Sequence, residues 1–376
     1  MDFIDLKKQY QLLKPSIQKR INDILDRASF IMGSEINELE EKLAHYNGTN
    51  YCLTCASGTD ALLLSLMAKG IGPGDAVFTT TFTFIATAEV ISLLGATPVF
   101  VDIDSKTYNI DPEKLRQEII KVKNGDRITE SFPISLNPKA IIPVDLFGLC
   151  ADYDAIDAVA KEFGQFVLED AAQSFGATYK GKKACSFGDM AATSFFPAKP
   201  LGCYGDGGAV FCNDKKMIDI LKSLRVHGQG SDKYENVRIG TNGRMDTLQA
   251  AVLLAKMEIF DKELEMRQAV AQRYSQALAS SFIIPTIPAA HRSAWAQYSI
   301  QHQKRDDVMS KLKKSGIPTA IYYPKPLHLQ KAFASLGYEK GQFPVAEAIA
   351  QKIFSLPMHP YLEEKDQTEI IRNLIA

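Results

Sequence analysis

A mostly parallel α/β sheet with helices on both faces, followed by a smaller α+β region, is the fold class this sequence predicts. Three observations predict it. Short apolar runs alternate with amphipathic stretches through roughly the first two thirds of the chain. Loops rich in Gly, Ser and Thr follow several of those runs. Near residue 250 the alternation stops and a long helical stretch begins. With 376 residues, 46% hydrophobic and 23% charged, the chain can bury one large core and a smaller one. The expected division is 1–250 and 251–376.

The elements follow in order. Helical patterns cover Gln9–Asp26 and Ser34–Tyr46, the second with Ser34 as its cap and Ile36, Leu39, Leu43 and Tyr46 on one face. Strand Asn50–Cys55 runs through Ala-Ser-Gly-Thr into helix Asp60–Lys69. Strand Ala76–Thr80, helix Ile85–Leu94, strand Pro98–Asp102 and helix Pro112–Ile120 continue the alternation. A polar, irregular insertion at 121–138 precedes strand Ala140–Asp145, helix Tyr153–Phe163 and strand Phe166–Glu169. Strands at Ala192–Phe196 and Ala209–Asn213 lead to helix Lys215–Leu224. One long helix is expected over Thr247–Leu278, then strands Gln297–His302 and Pro318–Tyr322. Helices Asp306–Ser315, Val345–Ile353 and Glu363–Leu374 complete the smaller part.

Bulk properties narrow the function. A formal net charge of -1 with no basic stripe argues against nucleic acid as partner. No run of about 18 apolar residues offers a membrane span, and the first residues lack a signal pattern, so a cytoplasmic protein is expected. Six scattered cysteines then read as free thiols. Cys52 and Cys55 have zinc-like spacing, but no second pair completes a metal site, and two thiols packed in a strand is the better reading.

Three loops at expected strand ends carry the chemistry. In Cys55-Ala-Ser-Gly-Thr-Asp60, Gly58 permits a tight turn, and Ser57, Thr59 and a helix N-terminus offer donors to a phosphate. A plain capped helix start reads the same way. In Val167-Leu-Glu-Asp-Ala-Ala-Gln173 an apolar strand ends in Asp170, an anion able to hold a pyridinium proton, with Gln173 three residues on. A turn aspartate is the alternative. In Ser194-Phe-Phe-Pro-Ala-Lys-Pro-Leu-Gly-Cys-Tyr-Gly-Asp-Gly-Gly208, Lys199 stands between prolines and glycines, almost without charged neighbours. That setting suits a Schiff-base lysine, and Ser194 adds a phosphate donor. Phosphate cradle, anion and isolated lysine in this order spell a pyridoxal phosphate (PLP) site.

On these stretches, and on Thr83-Phe-Ile-Ala-Thr87, Gly240-Thr-Asn-Gly-Arg-Met-Asp246 and Tyr323-Pro-Lys-Pro-Leu-His328, the chain resembles the PLP-dependent nucleotide-sugar aminotransferases of the DegT–DnrJ type over its full length. The resemblance implies an aspartate-aminotransferase-like fold (fold type I) and a homodimer with shared active sites. It implies amino transfer from L-glutamate to a nucleotide-linked ketosugar, foremost the 3-keto carbon of a UDP-linked N-acetyl uronic acid made for surface polysaccharide such as O-antigen. Carried over, Lys199 bonds the cofactor, Asp170 holds its ring nitrogen, Gln173 sits by the ring hydroxyl and Phe84 stacks on the ring. Gly58, Thr59, Ser194 and Asn242 hold the phosphate, Asn242 from the partner subunit; Arg244, Tyr323 and His227 face substrate.

Without the resemblance, Phe84 reads as a core aromatic, Asn242 as a turn former, and Arg244 and Arg225 as surface charges. His227 and His328 stay undecided, and Asp145, where many relatives carry His, receives no role. A different ketosugar and a catalytically silent regulator on the same fold remain alternatives. Intact Lys199, Asp170 and Gln173 argue against the second.

Overall fold

The computed structural model describes residues 1–132 and 135–375. Helix α1 (Leu6–Arg27) starts where the Asp5 carboxylate accepts from the Lys8 N–H at 2.8 Å, and α2 is Ser34–Asn47. Its cap is Gly33 rather than Ser34, because Gly33 is the extended residue before the helix, and the site takes glycine since a β-carbon there would lie 2.7 Å from Thr247. Strand β1 (Tyr51–Cys55) leads to α3 (Gly58–Lys69), β2 (Asp75–Thr80), α4 (Ala86–Leu93), β3 (Thr97–Val101) and α5 (Pro112–Asn124). Then come β4 (Asn137–Ile142), α6 (Tyr153–Phe163), β5 (Phe166–Asp170), β6 (Thr178–Tyr179) and β7 (Lys182–Lys183). Strands β8 (Met190–Ser194) and β9 (Gly208–Cys212) precede α7 (Lys215–Leu224). The remainder is α8 (Thr247–Met257), α9 (Phe260–Leu278), β10 (His291–Arg292), β11 (Tyr298–Gln301), α10 (Arg305–Lys314), α11 (Pro344–Ala350), β12 (Ile353–Leu356) and α12 (Glu364–Ile375).

Seven strands form one sheet in the order β1-β9-β8-β5-β4-β2-β3, with β9 antiparallel to both neighbours and the other pairs parallel. Successive strand residues enter opposite cores. Val167 packs on the face covered by α2, α5, α6 and α8, and Leu168 on the face covered by α3, α4 and α7. A third cluster joins the later turns of α9 to β11, β12, α10 and α12. Six strands run the same way, so their carboxyl ends and the start of β9 share one edge. Such an edge is where open α/β sheets bind ligands.

Several expectations change. The long helix breaks after Met257, with no Gly or Pro to announce it. The break lets Phe260 and Leu264 press on Gly176, where a β-carbon would meet their side chains at 2.7–2.9 Å. Ile353 belongs to a strand, not a helix, since β12 pairs antiparallel with β11. Segment 318–322 keeps only the bridge Ala320–Ser355. Of the 121–138 insertion, the first residues extend α5, and Thr129 and Phe132 dock on Leu336 and Tyr338. Residues 133 and 134 lie outside the described residues.

Candidate active site at the carboxyl ends of the strands

The turn after β1 is built by its own residues. Ser57 caps α3, accepting from the Asp60 N–H at 3.0 Å. The N–H groups of Gly58 and Thr59 have no partner among the described residues. These are the free donors of a helix start. Ser194, at the end of β8, closes the cradle from the other side: a β-carbon on Gly58 would lie 2.6 Å from that of Ser194. The sheet register enforces the approach, because Cys55 and Ser194 both pair with Gly208.

Asp170 ends β5 in a buried position, receiving the Thr87 hydroxyl at 2.8 Å and the Ala172 N–H at 3.2 Å. Burial raises its carboxyl pKa, against the pull of those donors and of Lys199. Lys199 lies in the turn after β8, its N–H donating to the Phe196 carbonyl at 2.9 Å. Burial lowers the pKa of its amine, and Asp170 opposes that shift. Each of this pair is thus moved toward its neutral form. Thr87, which the sequence reading passed over, sits one helical turn after Thr83, and their hydroxyls are 3.2 Å apart.

Aromatic side chains form one wall. The Phe84 ring is 56% exposed, and its centroid lies 6.4 Å from that of Tyr323. This is not the core aromatic that composition alone would imply. Gln173 is fixed at both ends: its carbonyl accepts from the Phe147 N–H at 2.6 Å, and its amide donates to the Tyr323 hydroxyl at 3.1 Å. Burial pushes the Tyr323 phenol well up.

A second strip runs beside the cradle. The Gly243 carbonyl accepts from the Ala56 N–H at 2.9 Å, which sets the exposed Asn242 next to the β1 turn. Arg244 donates one terminal N–H to the Asn242 side chain at 2.6 Å, and its Nε is enclosed without a partner among the described residues. His227 is exposed and pairs with this strip only through its backbone, to Thr241.

Other candidates separate from the site. Arg225 is no surface charge: buried, it binds Glu40 at 2.6 Å and the Thr54 carbonyl at 2.8 Å. His328 is buried between the Thr81 hydroxyl at 2.7 Å and Glu347 at 3.1 Å, and burial lowers its pKa. It holds the Tyr323 segment to the strand leading to Phe84. Cys52 and Cys55 enter the two opposite cores, so they cannot share a metal, and burial raises both thiols. Asp145 is wholly buried and receives Ala151, Tyr153 and Ser174.

The arrangement suits a phosphorylated pyridine. Two free backbone donors and a serine await a dianion, a carboxylate with spare acceptor capacity stands in the interior, and an exposed ring offers a stacking face. Among the described residues no cluster could hold a metal ion, and no helix is long and apolar enough to cross a membrane.

Comparison with known proteins gives the same picture. Residues 11–375 match the DegT/DnrJ/EryC1/StrS aminotransferase family. The UDP-2-acetamido-2-deoxy-3-oxo-D-glucuronate aminotransferase of Pseudomonas aeruginosa is 48% identical over 364 residues, covering 96% of each chain. A crystal structure of a DegT DnrJ EryC1 StrS aminotransferase from Brucella abortus superposes with a TM-score of 0.94 at 48% identity, covering 100% of this chain and 98% of that one. NtdA from Bacillus subtilis, solved with bound cofactor PMP (pyridoxamine phosphate), matches at 0.87 and 27% identity, over 99% of this chain and 82% of that one.

Proposed function

The chain belongs to the DegT/DnrJ/EryC1/StrS aminotransferase family, is an aminotransferase of fold type I and uses pyridoxal phosphate; on that premise we propose that it moves an amino group from L-glutamate to the 3-keto carbon of UDP-2-acetamido-2-deoxy-hexuluronate. The observation that carries the reading is the meeting of Lys199 and Asp170 beside the Gly58–Ser194 cradle, from three separate stretches of sequence. Pyridoxal phosphate bound there supplies an electron sink and a carbonyl that carries the amino group. Gly58, Thr59, Ser194 and a partner's Asn242 would hold the phosphate, Phe84 would cover the ring, and Gln173 would stand at its hydroxyl. Asp170, anchored by Thr87, would meet the ring nitrogen, whose positive charge would draw the buried carboxyl back to its ionised form. Lys199 Nζ takes a proton from the α-carbon of glutamate and returns one on the sugar side; its lowered pKa favours the free amine this requires.

The acidic sugar is supported by Arg244, which stands beside the cradle with one terminal nitrogen engaged, by Asn242, while Arg225 is already committed to Glu40. Tyr323, bonded to Gln173, and the exposed His227, bonded to Thr241, are assigned to the substrate side of the site. A shared-site homodimer fits the exposed Tyr234, Val237 and Ile239 near the Asn242 strip. Six free cysteines fit a reducing, cytoplasmic setting, and a product bound for surface polysaccharide fits the substrate. The proposed division near residue 250 falls in α8, which with the first turns of α9 still packs on the large sheet, while Val270 onward joins the smaller cluster.

The test incubates purified protein and L-glutamate with UDP- and dTDP-linked ketosugars and follows 2-oxoglutarate. Release with the acidic UDP sugar is expected. Release only with neutral sugars overturns the uronate assignment, and release with none overturns the reaction.

A further inference from the structure

Lys256 is a buried charge to which the reaction above gives no task. It lies on α8, is 1% exposed and forms no ion pair among the described residues. Its ammonium donates to the Gly202 carbonyl at 2.6 Å and lies 4.3 Å from the Tyr204 ring centroid. Burial lowers its pKa to about 8, with Glu263 and Cys203 opposing. A lone ammonium in such a place is costly, and an unbranched apolar side chain would fill the same space at less cost.

What it touches explains its presence. Gly202 closes the turn that presents Lys199: a β-carbon there would lie 2.6 Å from the carbonyl oxygens of both Phe196 and Pro197. Cys203 N–H then returns to the Phe195 carbonyl at 2.8 Å. Seven residues before Lys256, on the same face of α8, the Gln249 carbonyl accepts from the Tyr204 N–H at 2.9 Å. Two polar side chains of one helix therefore grip consecutive parts of the lysine-bearing loop, and one grip is charge-assisted.

We propose that Lys256 is a positioning residue of the aminotransferase, its ammonium clamping the Gly202 carbonyl and, with Gln249, fixing the turn that aims Lys199. The proposal rests on the reading of Lys199 as the reactive amine. Its test is Lys256→Met in the full-length, cofactor-loaded enzyme. The melting temperature should hold or rise, because a desolvated charge is removed. Meanwhile kcat should fall about 10- to 100-fold, with KM for glutamate and sugar changed by less than about twofold. Amide hydrogen exchange should quicken in the 200–206 segment alone.

Unchanged kcat and exchange overturn the clamp. So does a fall in melting temperature with faster exchange throughout, which marks a merely structural lysine. If Lys256→Met does not fold, Gln249→Ala must show the same localised exchange, and protection as in the parent protein overturns the proposal. The exchange readout does not involve the chemistry of Lys199, so an active Lys199→Ala variant would overturn the reaction and leave the clamp standing.

Discussion

Glu169 and Asp170 are neighbours on β5, both buried and both raised in pKa by burial, yet they serve opposite faces of the sheet. Glu169 is closed in. It accepts the Cys185 N–H at 2.7 Å and the Phe187 N–H at 2.8 Å, and its charge is opposed by the neighbouring buried Asp145 carboxyl, which in turn receives Ala151, Tyr153 and Ser174. Among the described residues Asp170 receives only Thr87 and Ala172, and Lys199 is its charged neighbour. The first carboxylate spends its acceptors on backbone and locks two turns together. The second keeps acceptor capacity for a ligand. Burial of an acid marks neither role by itself; the number of acceptors already used does.

The comparison can be broken most severely at its catalytic end. Lys199→Ala should lower turnover by about 10⁴-fold in a glutamate half-reaction assay while the protein stays folded, as loss of the sole acid–base group requires. Next, Asp170→Asn should cost about 10²- to 10³-fold in kcat with little change in melting temperature, since a neutral amide no longer stabilises a charged ring. Glu169→Gln should do the reverse. Its new NH₂ group would face a backbone donor, at a cost of about 1–3 kcal/mol in denaturant unfolding, with kcat within about tenfold of the parent. If the glutamine variant harmed kcat more than the asparagine variant, the two faces would have been misassigned.

Smaller effects sharpen the picture. Arg244→Gln should raise KM about tenfold for an acidic ketosugar and leave a neutral one near its parental value, as steady-state kinetics would show. The Asp145–Glu169 pair should also be visible in stability against pH. Burial pushes Asp145 up to about 6, so between pH 4 and 6 the folded protein holds protons that the unfolded chain has released. Its contribution is present below that window and is lost as the pH rises through it. In Asp145→Asn the melting temperature should decline less from pH 4.5 to 6.5 than in the parent.

Much of this was readable from residues alone. The cradle, Asp170 and the Lys199 loop announce themselves because strand ends, glycines and an uncharged setting are local features. Arg225 reads wrongly as a surface charge and His328 stays undecided, since a charge beside the site and a charge paired in the interior look alike until Glu40 and Glu347 are seen to receive them. Phe84 drew its proposed role from resemblance; what the structure adds is that the ring lies exposed rather than in the core. The α8–α9 break left no trace, because Phe260 packing on Gly176 sets it rather than a helix-breaking residue.

The sequence by itself determined the alternation of strands and helices, the residue types at the strand ends and the lone lysine among prolines and glycines. Periodicity and turn chemistry act over a few residues, so one chain suffices to read them. Only the tertiary structure decided which acid on β5 stays open, which arginine is committed, and that Lys256 reaches Gly202 from 54 residues away. Those outcomes depend on how separate segments pack and which polar atoms they leave to one another, and no local pattern encodes that.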